Sequence, residues 1–167
     1  MLVARFVARN ANDLEPGIVS VDLNGLGAGT YDRLREEKYS DEWFSYTDFS
    51  LFGVNVGESP SDDTRYRNLR AELYMKLREM FQRKEISIPN DRELINELSV
   101  IRVKDWEPRV LLVSKKEMRS QGLASPNKAD ALALTLYRTG QFRDKSKDER
   151  RGRYRFNRAP LEPEYGW

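Results

Sequence analysis

The 167-residue chain contains no cysteine and no histidine. The absence of cysteine excludes a disulfide scaffold, zinc–thiolate sites, iron–sulfur clusters and a thiol nucleophile. The absence of histidine excludes a Ser-His-Asp triad, an imidazole general base and histidine-ligated transition metals. Any bound metal must therefore have oxygen ligands, which favours Mg²⁺, Mn²⁺ or Ca²⁺.

Long apolar runs and a strong charge imbalance are also missing. No segment approaches the roughly 20 apolar residues of a membrane span, and the N-terminal residues lack the apolar core of a signal peptide. We therefore expect a cytoplasmic protein with no membrane partner. The 29 Lys+Arg residues nearly balance the 27 Asp+Glu residues, so net charge gives no argument for nucleic-acid binding.

The first forty residues have the pattern of an α/β fold. A β-branched run at 18–21 predicts a buried strand that ends at Asp22. Glycines at 25, 27 and 29 then predict a tight turn into a second helix, and this order indicates a parallel sheet. A first helix is predicted from apolar residues three and four apart, ending at Pro16 and Gly17: Leu2, Val3, Phe6, Val7, Ala11 and Leu14.

The rest of the chain alternates short helical and extended patterns. Thr64 is predicted to cap a helix that runs to Arg83, and Ser125 to cap the last helix, with Pro126 as its first residue. The spacing of Ser114 and Glu117 predicts a capping box that opens a short basic helix. Further predictions are a strand in the aromatic segment 43–52 with its rings in the core, a strand at 86–89, a helix from Asp91 with Leu94, Ile95 and Leu98 inward, and a hairpin of 100–103 with 110–113.

The composition changes after Gly140, where arginine and lysine dominate and aliphatic residues are few. We therefore predict a folded domain at 1–140 and a basic, flexible tail at 141–167.

Two acids stand out by their position. Asp22 lies at the carboxyl end of a strand, where open α/β sheets bind ligands. Asp130 lies in the first turn of an apolar helix, where burial is costly unless the carboxylate is paired or binds a cation. Two such carboxylates on Mg²⁺ would be the minimal core of a two-metal phosphodiesterase site. The spacing alone favours the alternative, in which Asp22 caps a turn and Asp130 complements the helix N-terminus.

Other patterns give weaker predictions. The spacing of Gly25, Gly27 and Gly29 is not that of a dinucleotide-binding loop, so a tight turn is favoured. Four basic residues near the starts of the last two helices are candidates for contact with DNA phosphates: Lys115, Lys116, Arg119 and Lys128. Lysines scattered over the surface explain this pattern equally well.

Four blocks of the sequence resemble, in the same order, those of the large terminase subunits of tailed phages. The segment at 21–34, VDLNGLGAGTYDRL, is similar to the family's VDxxGxGxGVxDRL block. The residues FG at 52–53 and YRNLRAELY at 66–74 resemble FG…YxNxRAExW. The residues ISIP at 86–89, followed by EL at 93–94, resemble I-x-IPxDxEL, and SKKEMR at 114–119 with SPNKADAL at 125–132 resembles SKxxMRxRGxxSPDxADALALT. Together the blocks cover roughly residues 2–137.

The resemblance implies the C-terminal nuclease domain of such a subunit, an RNase H-like fold that cuts concatemeric DNA with Mg²⁺ or Mn²⁺. Asp22 and Asp130 match the second and third of the family's three catalytic, metal-binding acids. Asn127 stands where the family usually has aspartate and is an auxiliary candidate. The first acid lies on an earlier strand, and this chain begins after it. The resemblance therefore implies a fold lacking its first strands, with a small added hairpin, and weak or no cleavage by this chain alone.

Three functions follow as expectations. The leading one is an impaired terminase nuclease domain, from a short prophage gene or one piece of a split protein. The second is a non-catalytic remnant that binds DNA or the phage portal, with the basic tail as the docking element. The third and weakest is a nucleotide-binding protein that uses the glycine turn. Expected partners are double-stranded DNA, the portal or the small terminase subunit, and a second copy through an exposed sheet edge.

Overall fold

A computed structural model describes residues 2–40, 43–45 and 48–137 of the chain. The tail predicted at 141–167, and the predicted domain boundary at 140, lie outside these residues. The helices are α1 (Leu2–Leu14), α2 (Gly27–Ser40), α3 (Leu69–Gln82), α4 (Arg92–Val100), α5 (Lys115–Ser120) and α6 (Asn127–Leu134). The strands are β1 (Ile18–Asp22), β2 (Ser50–Val54), β3 (Val103–Asp105) and β4 (Leu111–Leu112).

The central sheet consists of β1 and β2, which run parallel with Asp22 opposite Val54. Successive side chains of a strand point to opposite faces. The face that carries Val19 and Leu51 packs against α1 and α2. The other face, with Phe52 and Val54, packs against α3 and α6. This arrangement of a sheet between two helix layers confirms the predicted α/β class, and it places Asp22 on the α6 side.

The turn after β1 is as tight as the glycine spacing predicts. A Cβ atom on Gly27 would lie only 1.6 Å from the carbonyl oxygen of Asp22, and Gly25 has a φ of 64°, which favours glycine. The backbone of α2 therefore begins in direct contact with the end of β1.

The first helix forms where it is predicted. Of its predicted apolar residues, Val7 and Ala11 pack in the core, whereas Leu2, Val3, Phe6 and Leu14 are exposed. Leu2 is 87% exposed and Phe6 is 68% exposed. The side chains that are buried are the small ones, and they pack with Leu34 of α2: Ala4, Ala8 and Ala11. Alanines allow the close approach of the two helices, and this leaves the larger side chains on the outer face.

Two predicted helix starts are wrong by a few residues. α3 begins at Leu69 with Asn68 as its N-cap, whose Oδ1 accepts from the backbone N–H of Ala71 at 2.9 Å. Thr64 instead belongs to a separate turn that is closed by Asp62. α6 begins at Asn127 and has no side-chain cap, because Pro126 takes the N-cap position in place of Ser125.

The remaining elements follow the predictions in part. The aromatic prediction holds for Phe44 and Phe49, which are buried with ring centroids 5.3 Å apart. β3 and β4 form an antiparallel hairpin as predicted, but its first strand begins at Val103 rather than at 100, because α4 extends to Val100. α5 has the predicted capping box. The prediction that Ile95 points inward is wrong, since it is 43% exposed. The strand predicted at 86–89 is also wrong: the segment forms no ladder with any described strand.

Candidate functional site

Asp22 is presented by the end of β1 and held by the turn that follows it. Its Oδ1 accepts from the backbone N–H of Asn24 at 3.0 Å and from the side-chain amide of the same residue at 2.7 Å. Asp22 therefore caps the turn, as the alternative interpretation of the sequence predicts, but only Oδ1 takes part in the capping. The other, Oδ2, points towards Lys115 of α5, whose Nζ lies 4.0 Å away.

Asp130 is presented by the first turn of α6, where its side chain is only 11% exposed. Its Oδ1 accepts from the Tyr74 hydroxyl at 2.7 Å and from Nε of Arg70 at 3.4 Å. Burial of the Tyr74 phenol, together with the negative charge of Asp130, raises the pKa of Tyr74. The phenol therefore stays protonated and remains a hydrogen-bond donor to the carboxylate.

Lys115 brings the two acids into one cluster. Its Nζ lies 2.7 Å from Oδ2 of Asp130, as well as 4.0 Å from Oδ2 of Asp22. Oδ2 of Asp130 is buried and accepts no hydrogen bond, so its contact with Lys115 is an ion pair and not a hydrogen bond. One cation thus lies between two carboxylates that are far apart in sequence.

The ligand chemistry of this cluster suits a hard divalent cation in part. Carboxylate oxygens are the donors that Mg²⁺ and Mn²⁺ prefer, and two of them face the position that the Lys115 ammonium occupies. Within residues 2–40, 43–45 and 48–137, no three acidic side chains are grouped so as to hold a metal. Asp22 and Asp130 fit a metal as two ligands of a larger set.

A groove of about 770 Å³ adjoins the cluster and shares Lys115 with it. We call it the basic groove; its polar lining includes Asn24, Asn68, Arg70, Lys104, Lys115 and Lys116. The acid Glu117 also lines it and pairs with Lys104 at 2.5 Å. Arg70, Lys104 and Lys115 are paired with acids. Lys116 is exposed and has no ion pair with a described residue, so it is the cation of this groove best placed to meet a phosphate.

The structure separates the predicted DNA-contacting residues into two groups. Lys115 and Lys116 line the basic groove. Lys128 lies outside its lining and pairs with Asp91 at 2.6 Å and with Glu93 at 2.7 Å, contacts that raise its pKa. Arg119 and the auxiliary candidate Asn127 are exposed and do not line the groove either.

Sequence reasoning missed two residues of the cluster, Arg70 and Tyr74. Both lie in the block RNLRAELY, four residues apart on α3, a spacing that places them on one helix face. The sequence could have indicated from that spacing that the two side chains are neighbours. It could not have indicated their common partner, Asp130, which lies on a helix distant in sequence.

This chain is similar in structure to several solved structures of one viral protein. The nuclease domain of the large terminase subunit gp2 of bacterial virus Sf6 matches with a TM-score of 0.62 and 24% identity, over 78% of this chain and 69% of that one. A lysine-to-alanine variant of that domain with manganese gives the same score and identity, and another with manganese and beta-thujaplicinol gives 0.61 and 22%. No protein-family model and no curated protein matches the sequence.

These matches establish the fold. The described part of this chain has the fold of a phage terminase nuclease domain. No described helix is long and apolar enough to cross a membrane.

Proposed function

We propose that this chain, which has the fold of a terminase nuclease domain, is a metal-dependent endonuclease module of a phage DNA-packaging terminase. Its substrate is double-stranded DNA, and it acts in the cytoplasm of the bacterial host. One observation carries the proposal: Oδ2 of Asp22 and Oδ2 of Asp130 converge on a single cation position, 4.0 and 2.7 Å from Lys115 Nζ, at the end of a basic groove.

Asp22 and Asp130 are the residues that bind the metal in this proposal. Bound Mg²⁺ or Mn²⁺ supplies activation of the attacking water and stabilisation of the leaving 3′ oxygen. Lys115 neutralises the two carboxylates when no metal is bound, because two negative charges that face the same position would repel each other. Metal binding then requires the ammonium to leave its position, so Lys115 and the metal compete for the same oxygens.

The basic groove supplies the substrate-binding surface. Lys116 is placed to contact a phosphate oxygen of the DNA backbone, and such a contact helps to orient the duplex without reading its sequence. Asn24 and Asn68 add neutral donors at the same surface. A scissile phosphate that approaches Lys115 from this groove would lie beside both carboxylates.

Activity of this chain alone is expected to be weak. Two carboxylates, without a third in the described part of the chain, bind a divalent cation less tightly than the three acids that the family resemblance implies. The ion pair of Lys115 with Asp130 adds a further cost to metal binding. Both features support the impairment predicted from the sequence.

The first prediction is metal-dependent nicking of supercoiled plasmid. Cleavage is expected with Mn²⁺, weaker cleavage with Mg²⁺, and none with EDTA. Asp22→Asn and Asp130→Asn each remove one charged ligand and should reduce the rate at least about 100-fold, since the metal contributes several kcal/mol to the transition state. Asp32→Asn changes an exposed acid of α2 and serves as the matched control. Equal nicking by all four proteins, or none by folded protein at high concentration, would contradict the proposal.

The second candidate function is a non-catalytic module that binds DNA or the portal. The absence of a third acid near the cluster in the described residues favours it. A binding module retains its affinity for DNA in EDTA and in the Asp22→Asn variant, with no cleavage under any condition. The portal, the small terminase subunit and the tail at 141–167 remain predictions from the sequence.

A second copy of this chain is the partner that the outer surface fits best. α1 presents Leu2 and Phe6 to solvent, and β1 has a hydrogen-bonded neighbour on one side alone within the described strands. Exposed apolar faces and free strand edges favour association. We therefore propose a dimer through α1 and the free edge of β1.

Mass measurement by light scattering tests this dimer. The natural chain should have twice the mass of the monomer at micromolar concentration, and Phe6→Glu should give a monomer because it places a charge in the apolar contact. Tyr39→Glu changes a side chain of α2 that is also exposed and should leave the dimer intact. A monomeric natural chain would refute the pairing and leave the apolar face for a different partner.

A further inference from the structure

The two oxygens of Asp130 have different partners. Oδ1 accepts from Tyr74 and Arg70 of α3, whereas Oδ2 faces Lys115 and accepts no hydrogen bond. We infer that Arg70 and Tyr74 are positioning residues: they anchor Oδ1 and thereby present Oδ2 to the cation. This inference rests on the proposed function, because it specifies how the metal-binding carboxylate is held.

Arg70 and Tyr74 form one rigid unit. They lie four residues apart on α3, and the guanidinium carbon of Arg70 lies 5.1 Å from the centre of the Tyr74 ring. Arg70 is 9% exposed and Tyr74 is 6% exposed. Stacking on the ring and burial on a helix restrict both side chains, so the direction of their donors is fixed before Asp130 packs against them.

Arg70 also connects Asp130 with the helix that carries Lys115. One terminal nitrogen of the guanidinium donates to the carbonyl oxygen of Val113 at 3.0 Å. Val113 precedes Ser114, the N-cap of α5, and Lys115 is the first residue of that helix. The same guanidinium therefore sets the position of the carboxylate and the start of the helix that supplies its counter-ion.

Asp22 shows the same division of its oxygens. Its Oδ1 accepts two hydrogen bonds from Asn24, and its Oδ2 points towards Lys115. Each acid thus has one oxygen held by neighbouring donors and one directed at the shared cation position. Oδ2 of each acid is therefore the oxygen that would be available to a divalent cation at that position.

A purely structural role is the competing explanation for this network. Buried polar groups are usually hydrogen-bonded for stability alone, so a loss of stability in variants does not discriminate. Metal affinity does discriminate, because loss of a hydrogen bond to a metal ligand typically weakens metal binding about 10- to 100-fold. A structural role predicts loss of stability with metal affinity unchanged in the folded fraction.

The experiment measures Mn²⁺ binding by electron paramagnetic resonance of free Mn²⁺, with folding monitored by circular dichroism. Tyr74→Phe removes the donor to Oδ1 and should weaken Mn²⁺ binding about tenfold or more. Arg70→Lys should weaken it similarly, since an ammonium cannot bond both Asp130 and Val113 in the geometry of a planar fork. The control is Tyr66→Phe, which changes another buried tyrosine of the same core. Equal affinity for Mn²⁺ in folded Tyr74→Phe and Tyr66→Phe would overturn the inference.

A second measurement separates failure of this inference from failure of the proposed function. The unfolding equilibria of Tyr74→Phe, Asp130→Asn and the double variant form a cycle that needs no metal. Anchoring of Oδ1 predicts a coupling of about tenfold in the unfolding constant, the order expected for a hydrogen bond to a charged group. If the natural chain binds no Mn²⁺, the proposed function fails. The presentation of Oδ2 to a metal then fails with it, and coupling in the cycle supports only the anchoring of Oδ1 by Tyr74. Additivity would overturn that anchoring as well.

Discussion

Gly27 and Gly29 lie two residues apart at the start of α2, but their surroundings differ. A methyl group on Gly27 would collide with the backbone carbonyl of Asp22, whereas one on Gly29 would meet no atom within 4 Å. Backbone atoms cannot move aside as the end of a flexible side chain can. The carbonyl of Asp22 and the first turn of α2 therefore hold each other in place only while residue 27 is glycine.

This difference gives a prediction for a pair of matched variants. Gly27→Ala should lower the free energy of unfolding by about 2–3 kcal/mol or more, as expected for severe overpacking. Gly29→Ala should be neutral or stabilising by about 0.5–1 kcal/mol, because alanine favours the helix. Urea denaturation of both variants measures the two effects. Equal effects would show that the turn tolerates displacement of Asp22.

At this scale the sequence predicted the two acids better than their supports. Asp22 and Asp130 are candidates because each follows or interrupts an apolar run at the end of an element; the spacing alone favoured capping roles for them, and the family resemblance selected them as a metal site. Arg70 and Tyr74 have an ordinary helical spacing, and only the tertiary fold places their donors against a carboxylate on another helix. Their pairing is a long-range contact with no local pattern in the sequence.

At the scale of elements, Glu117 connects α5 with the hairpin. Its carboxylate completes the capping box with Ser114, accepting from the backbone N–H of that residue at 2.9 Å, and pairs with Lys104 of β3 at 2.5 Å. The hydrogen bond from Lys104, followed by the bonds from Ser114, lowers the pKa of Glu117 from its ordinary value of 4.5 to about 2. The helix that carries Lys115 is thus attached to the hairpin through one carboxylate.

A pH dependence of stability follows from this shift. Because the pKa of Glu117 is lower in the folded state, its contribution is fully present above about pH 4.5 and is lost as the pH falls towards 2. The natural chain should therefore lose more stability across this window than Glu117→Gln, which has no carboxylate to protonate. Urea midpoints at pH 6, 4 and 3 measure the difference, with Glu107→Gln in the exposed hairpin turn as control. Parallel loss of stability in all three proteins would contradict the linkage.

The errors at this scale have local causes. Thr64, Asp62 and Asn68 are all residue types that cap helices, so the local sequence does not determine which of them begins α3; burial of Leu69 against the core decides in favour of Asn68. Ile86 and Ile88 have strand-forming side chains and contact the core, but a strand also requires a neighbour with free backbone groups. The sequence of one segment does not specify such a neighbour.

At the scale of the whole molecule, the positions of the charged residues are more informative than the net charge. The net charge is only +2, yet Lys104, Lys115 and Lys116 gather at one groove. Of these three, Lys104 and Lys115 are paired with acids, and Lys116 has no ion pair with a described residue. Lys128 lies elsewhere and is paired with Asp91 and Glu93. Composition could not reveal this arrangement, because it depends on which helices pack beside the hairpin.

DNA binding should distinguish these lysines. Lys116→Ala should weaken binding to duplex DNA and reduce the slope of log affinity against log salt by about 1, as expected for the loss of one phosphate contact. Lys128→Ala should change neither quantity, because its ammonium is already paired. Fluorescence anisotropy with a labelled duplex at several salt concentrations, in EDTA to prevent cleavage, measures both. A larger effect of Lys128→Ala would place the DNA on another face.

The overall class and most of the order of the elements were predictable from the sequence, since the β-branched run at 18–21, the glycine turn and the capping box at Ser114 are local signals. The outer face of α1 was not. Its apolar stripe has the spacing of a buried face, but alanines form the actual contact with α2. Periodicity identifies an amphipathic helix and does not determine which of its apolar sides is packed within the same chain.

The parallel pairing of β1 with β2 determines the stage of folding at which Asp22 and Asp130 come together. Asp22 is fixed only once a strand from before α2 has joined one from after it, and Asp130 only once α6 has docked on α3. Such distant pairings are slow steps in folding. A nascent or partly folded chain therefore has no pair of converging carboxylates. If the chain is the proposed nuclease, it cannot cleave DNA before its own folding is complete.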